Sequence, residues 1–137
     1  MSTPTALLPF NELQKALYDA LNGNISATVR DEVPENVNKP YVVIGEATGI
    51  PDNWHGGFGW DILTTLHVWT KSQGFKSGLT VAQEIVSILD HQIGALSISG
   101  SWYVVSIRLA QIQTLRDPDP ELRHVPVQFR IVIHQEV

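Results

Sequence analysis

A chain of 137 residues, 43% hydrophobic and 17% charged, suits one globular domain with its own core and does not suit a disordered chain. Its net charge is −5 and its nine cations are spread from Lys15 to Arg130 without a cluster, so no basic stripe exists to grip nucleic-acid phosphates. Cysteine is absent, which excludes disulfides and thiolate zinc sites; no apolar run approaches the ~18 residues of a membrane span, the start lacks a signal-peptide pattern, and a soluble protein made in the cytoplasm is expected.

Residues 1–9 read as a flexible arm ahead of a single domain over 10–137. Over 10–22, Phe10, Leu13, Leu17 and Leu21 recur at spacings of three and four, with Ala16 and Ala20 beside them. That is one helical stripe, and Gly23 stands where a glycine ends a helix. The polar segment 24–40 carries Pro34 and Pro40 and has room for one short strand at 25–29. YVVIGEAT (41–48) predicts a strand, DNWHGGFG (52–59) a loop and WDILTTLHVWT (60–70) another strand. In the last of these, Ile62, Thr64, Leu66 and Val68 read as the core face, with Leu63, Thr65, His67 and Trp69 opposite. Residues 76–93 predict a second helix, starting at a Thr80–Gln83 capping box or a Ser77 cap and stopping at Gly94. Its stripe is Leu79, Ala82, Ile85 or Val86, Leu89 and Ile93. A short strand at 96–98, turned at Gly100, precedes a long strand over 102–115. There the apolar phase Tyr103, Val105, Ile107, Leu109 moves to Ile112, the mark of a bulge. The final strand, 123–135, alternates Val125, Val127, Phe129, Ile131 and Ile133 with His124, Pro126, Gln128, Arg130 and His134, so one face meets a core. Pro126 cannot donate to a ladder, which places that end at an edge or a bulge.

The order αββαββ, with short links inside both strand pairs, predicts an α+β two-layer sandwich: a four-stranded, mainly antiparallel sheet with two helices packed on one face. Signatures of chemistry are missing. His55, His67, His91, His124 and His134 have neither HxH nor HExxH spacing, and no GxSxG elbow, GxGxxG loop or Walker lysine occurs. Asp117 and Asp119, in LRDPDPELRHV, lack the following glycine of a calcium loop and share one proline-stiffened turn, where glycosidase carboxylates face each other across a cleft. No catalytic residue, metal or cofactor is expected. The aromatic residues stand out instead: Trp54, Phe58 and Trp60 crowd one loop, and Trp69 lies opposite the core face. Local packing accounts for them; so does an interface, where such side chains act as anchors. Trp54, Phe58, Trp60, Trp69, Asp117, Asp119, Arg123 and Arg130 are the candidate subunit or partner interface. The rival is a small ligand-binding domain or enzyme with loop 52–60 as the mouth of a pocket.

The segments LQKALYDALNG, PYVVIGEAT, LTTLHVW, the helix end ILD and the closing RDPDPELRHVPVQFRIVI occur in this order from about residue 10 to 135. Together they resemble the phage tail-completion proteins, the tail terminators or head-to-tail joining proteins of long-tailed phages, prophages and gene-transfer particles. Segments 24–39 and 49–59 carry none of this resemblance and stay unassigned. The resemblance implies a small α+β subunit that assembles with itself into a ring, typically a hexamer. Such a ring caps the tail tube protein, meets the head-completion (stopper) connector, and lets DNA through its lumen without specific binding. It implies a virion protein of the neck, assembled in the host cytoplasm, with no membrane, cofactor or catalytic residue. An acidic chain without a basic cluster fits a passage that must not hold phosphates.

Overall fold

The computed structural model describes residues 5–30, 40–71, 74–116, 118 and 122–136. In chain order these form α1 (Phe10–Leu21), β1 (Thr28–Arg30), β2 (Tyr41–Pro51), β3 (Gly59–Lys71), α2 (Lys76–Leu89), β4 (Trp102–Ile112), β5 (Leu115–Arg116) and β6 (Leu122–Gln135). The sheet runs β1-β2-β3-β6-β4, and β5 extends the β4 side of β6. The links of few residues produce antiparallel hairpins, β2 on β3 and β4 with β5 on β6. The fold is α+β, but the sheet has six strands where four were expected, and it is mixed, because β1 pairs with β2 in parallel. A three-residue strand carries too little pattern to announce its partner, so this pairing is a tertiary outcome.

One core cluster joins both helices to one face of the sheet, and that places both helices on the same side. Leu13, Ala16, Leu17 and Leu21 bury the α1 stripe as its periodicity requires, and Gly23 takes the left-handed conformation after the helix (φ 81°). The α2 stripe differs from expectation: Gly78, Val81, Ala82, Ile85 and Leu89 are buried, while Leu79 and Ile93 are 42% and 53% exposed. Gly78 explains the rotation, since a Cβ there would lie 2.9 Å from Val125 Cγ2 and hold the helix off β6. Neither predicted cap forms; the helix starts after Phe75 without a side-chain cap, and Thr80 Oγ1 donates back to Lys76 O within the helix (2.8 Å). The helix also ends at Leu89, before Gly94. The Leu109 N–H donates to Asp90 Oδ1 (2.8 Å) and the His91 N–H to Ile107 O (2.9 Å), so β4 pins the helix end, with His91 at φ 60°.

Residues 96–98 form no strand, though Leu96 is buried in the core. β4 carries register shifts at 104/106 and 109/111, and only the second leaves a trace in the sequence, at Ile112. The first inverts the expected phase: Trp102 and Ile107 are buried, while Tyr103 and Val105 are 45% and 40% exposed. Pro126 lies in β6 between β3 and β4, not at a sheet edge. It faces the gap between β4 and β5, where the Gln113 N–H donates to Pro126 O (3.2 Å). Phe129 is fully buried, level with Thr64 on β3 and Leu109 on β4. Phe129→Ala is expected to cost about 3–5 kcal/mol by the cavity it leaves, read from the midpoint of denaturant unfolding.

Candidate functional site: the open face of the sheet

With the helices on one side, the alternate residues of β2, β3, β4 and β6 form an open face. Its polar residues hold one another in three groups. The first is a chain of imidazoles. A bulge in β2 sets Gly45 and Glu46 opposite Thr65, and Glu46 Oε2 lies 3.0 Å from His67 Nε2. His67 Nδ1 lies 2.6 Å from His124 Nε2, and His124 stacks on Trp69 at 4.0 Å and 7°. Hydrogen bonding to its own backbone N–H, and then to His67, holds the Glu46 carboxyl below its ordinary value, so it accepts. His67 Nε2 thus donates to the Glu46 carboxylate, and the tautomers of the two rings set which imidazole donates in the His67–His124 contact. Glu46, His67 and His124, with Thr65, Gln111 and Gln128, border a cavity of about 270 Å³.

The second group is Asp61 and Arg130, on neighbouring strands. Arg130 Nε donates to Asp61 Oδ1 (2.9 Å) and Nη2 to Oδ2 (2.6 Å), a bidentate pair. Arg130, and behind it the charge of Arg108, lowers the Asp61 pKa. The third group surrounds His134, whose ring stacks on Trp54 at 4.3 Å and whose Nε2 lies 3.2 Å from Asp52 Oδ2. Trp54 and Gly57 exchange backbone hydrogen bonds (3.2 and 3.1 Å), and the indole lies so close over Gly57 that a Cβ there would meet it at 2.0 Å. The indole packs over the turn at Gly57 and stays 39% exposed.

The candidate interface residues are thus split. Trp54, Trp69 and Arg130 sit on the open face. Phe58 is half-buried, and its carbonyl accepts from the Gln135 N–H (2.9 Å). Trp60 turns to the helix side, edge-on to Phe10, and donates its indole N–H to Leu7 O (2.9 Å). Gln135 clasps the same arm, donating to Thr5 O (2.7 Å) and accepting from the Leu7 N–H (3.0 Å). Arg123 is 6% exposed, with its guanidinium over Phe75 at 5.5 Å. Asp117 and Asp119 lie outside the described residues. The sequence reading missed the His67–His124 and Asp61–Arg130 pairs. Each joins residues more than fifty positions apart, and the only trace is that each partner sits on the polar phase of its strand. Among the described residues, no group of three His, Asp or Glu is placed to hold a metal ion.

Two outcomes test this description. A Cβ at Gly45 would meet His67 Cδ2 at 2.5 Å and the Thr65 carbonyl oxygen at 2.9 Å, and the latter, being backbone, cannot yield. Gly45→Ala is expected to destabilise by about 1–3 kcal/mol and to shift the His67 imidazole resonances; an unchanged imidazole spectrum would refute the chain of contacts. Asp61 has a lowered folded pKa, so its stabilisation is full above the ordinary value of 3.8 and is lost as pH falls through the folded value. Unfolding midpoints of Asp61→Asn should therefore lie below wild type at neutral pH and converge with it in acid; curves that stay parallel would show no such linkage.

The family described as Tail completion protein gp17 matches residues 11–134. No curated protein matches the chain in sequence. Among solved structures, a chain in the virion of a native gene transfer agent particle superposes with a TM-score of 0.83 at 20% identity. The match covers 94% of this chain and 99% of that one and shows that the two share a fold. The family match spans nearly the whole chain, so this protein belongs to the tail completion protein gp17 family, as a phage structural protein and not an enzyme.

Proposed function

We propose that the protein is the ring-forming tail terminator of a phage-type virion. In this reading identical subunits, six in number, close into a ring at the end of the tail tube, stop its growth and present a surface to the head-completion connector. The subunit works in the virion neck after assembly in the host cytoplasm, and DNA crosses the lumen without specific binding. The observation that carries the reading is the family match over residues 11–134. The shared fold with a chain of a gene transfer agent virion supports it.

The surface chemistry is compatible with this role. A ring of identical subunits needs heterologous contacts that close by rotation. The open face offers apolar side chains (Ile50 at 60% and Leu63 at 36% exposure) around self-neutralised polar pairs, a composition suited to a subunit contact. The net charge of −5 without a basic cluster keeps the lumen from holding DNA. The purified protein, incubated with tail tubes and viewed by electron microscopy, is expected to form a ring at the tube end. A protein that stays monomeric and never binds tubes would overturn the proposal.

A further inference from the structure

We propose that the groove between α1 and β1 is a binding site for an extended, acidic segment of a partner protein. The groove belongs to the single subunit, so the site stands whether or not subunits close into a ring.

Two elements form it at one edge of the sheet. α1 lies on the sheet with Leu13, Ala16, Leu17 and Leu21 buried. The helical period then leaves Asn11, Gln14, Lys15 and Tyr18 exposed on its other sides. These four face Val29 and Arg30 of β1 and Ile44 of β2 across a cavity of about 440 Å³. That volume is within the range of about 300–1,000 Å³ found for ligand clefts. Val29 and Ile44 are buried and give the cavity an apolar base.

Charge identifies the occupant. The chain has nine Lys and Arg against fourteen Asp and Glu. The groove nevertheless takes Lys15 from the helix and Arg30 from the strand and, among the described residues, no carboxylate. Among those residues neither side chain has an ion pair or a hydrogen bond. On the open face Asp61 answers Arg130 from within the subunit; here the carboxylates come from outside. Asn11 and Gln14 add amides that can bond to a peptide backbone.

The sheet edge makes an extended chain the fitting shape. β1 is the end strand of the sheet. The Thr28 N–H donates to Pro40 O (3.4 Å), so Thr28 and Arg30 direct their backbone groups at β2 and Val29 turns its N–H and C=O outward. Among the described residues no hydrogen bond meets them. A peptide strand added there gains backbone hydrogen bonds at Val29, and its carboxylates gain Lys15 and Arg30. Duplex DNA is a poor occupant, since its binders neutralise about six to ten phosphates and the groove holds two cations.

The test is an NMR titration of the purified protein with a short peptide of alternating Glu and Val, beside the same peptide with Gln for Glu. The acidic peptide is expected to shift the amide resonances of Val29, Arg30 and the exposed side of α1, and to slow hydrogen exchange at the Val29 amide. The Gln peptide should bind at least about tenfold more weakly. So should the acidic peptide to the pair Lys15→Gln with Arg30→Gln, whose spectrum outside the groove should match wild type. The peptide comparison leaves the protein untouched and decides the matter even where a variant fails to fold. An acidic peptide that shifts nothing in the groove, or a Gln peptide that binds as tightly, overturns the proposal. A DNA duplex that shifts the same resonances as strongly as the acidic peptide also overturns it and assigns the groove to phosphates.

Discussion

Every residue of β3, from Gly59 to Lys71, is paired with β6 from Leu122 to His134, and β4 and β5 take the other side of β6. This double pairing is the constraint from which the molecule follows. It joins the two halves of the chain through strands far apart in sequence. It also makes the two-residue period of β6 decide both faces at once. Val125, Val127, Phe129, Ile131 and Ile133 are fully buried beneath the helices. The residues between them, His124 to His134, become the floor of the open face. A shift of one residue would exchange the two sets and expose the core, so the apolar phase also fixes which polar groups meet.

The open face is organised by pairs that satisfy each other across strands. Glu46, His67 and His124 form one chain, Asp61 and Arg130 another, and His134 with Asp52 and Trp54 a third. None of these converges on an empty point with a nucleophile, base and charge stabiliser, the arrangement that catalysis requires. Groups that neutralise one another on a flat sheet instead present a surface of low net charge interrupted by exposed apolar side chains. A subunit or partner contact has that character. The arm is treated likewise: Gln135 and Trp60 hold residues 5–7 along the end of the sheet by hydrogen bonds to backbone.

Much of the fold was legible in the order of residues because two periods dominate it. The 3.6-residue stripe of α1 and the strict alternation of the last strand leave few alternatives, and the short connections imply hairpins. What was misread shares one cause. The α2 stripe is rotated because Gly78 permits contact with Val125, and its end is set by Asp90 and His91 bonding to β4. The bulge at Val105 inverts the start of β4, and β1 finds a parallel partner. In each case a neighbouring element chose among local options of similar energy.

The sequence by itself determined an α+β sandwich with one open sheet face, the residues of its core strand, and the absence of catalytic spacing. Local propensity and apolar period act within a segment, and a segment carries them wherever it goes. Only the tertiary structure decided which polar side chains touch. His67 reaches His124, Asp61 grips Arg130, and Arg108 is left facing Arg130, through register across strands. Register is set by the packing of the opposite, buried face. The chemistry of the open face is thus dictated from beneath it, by apolar residues that take no part in it.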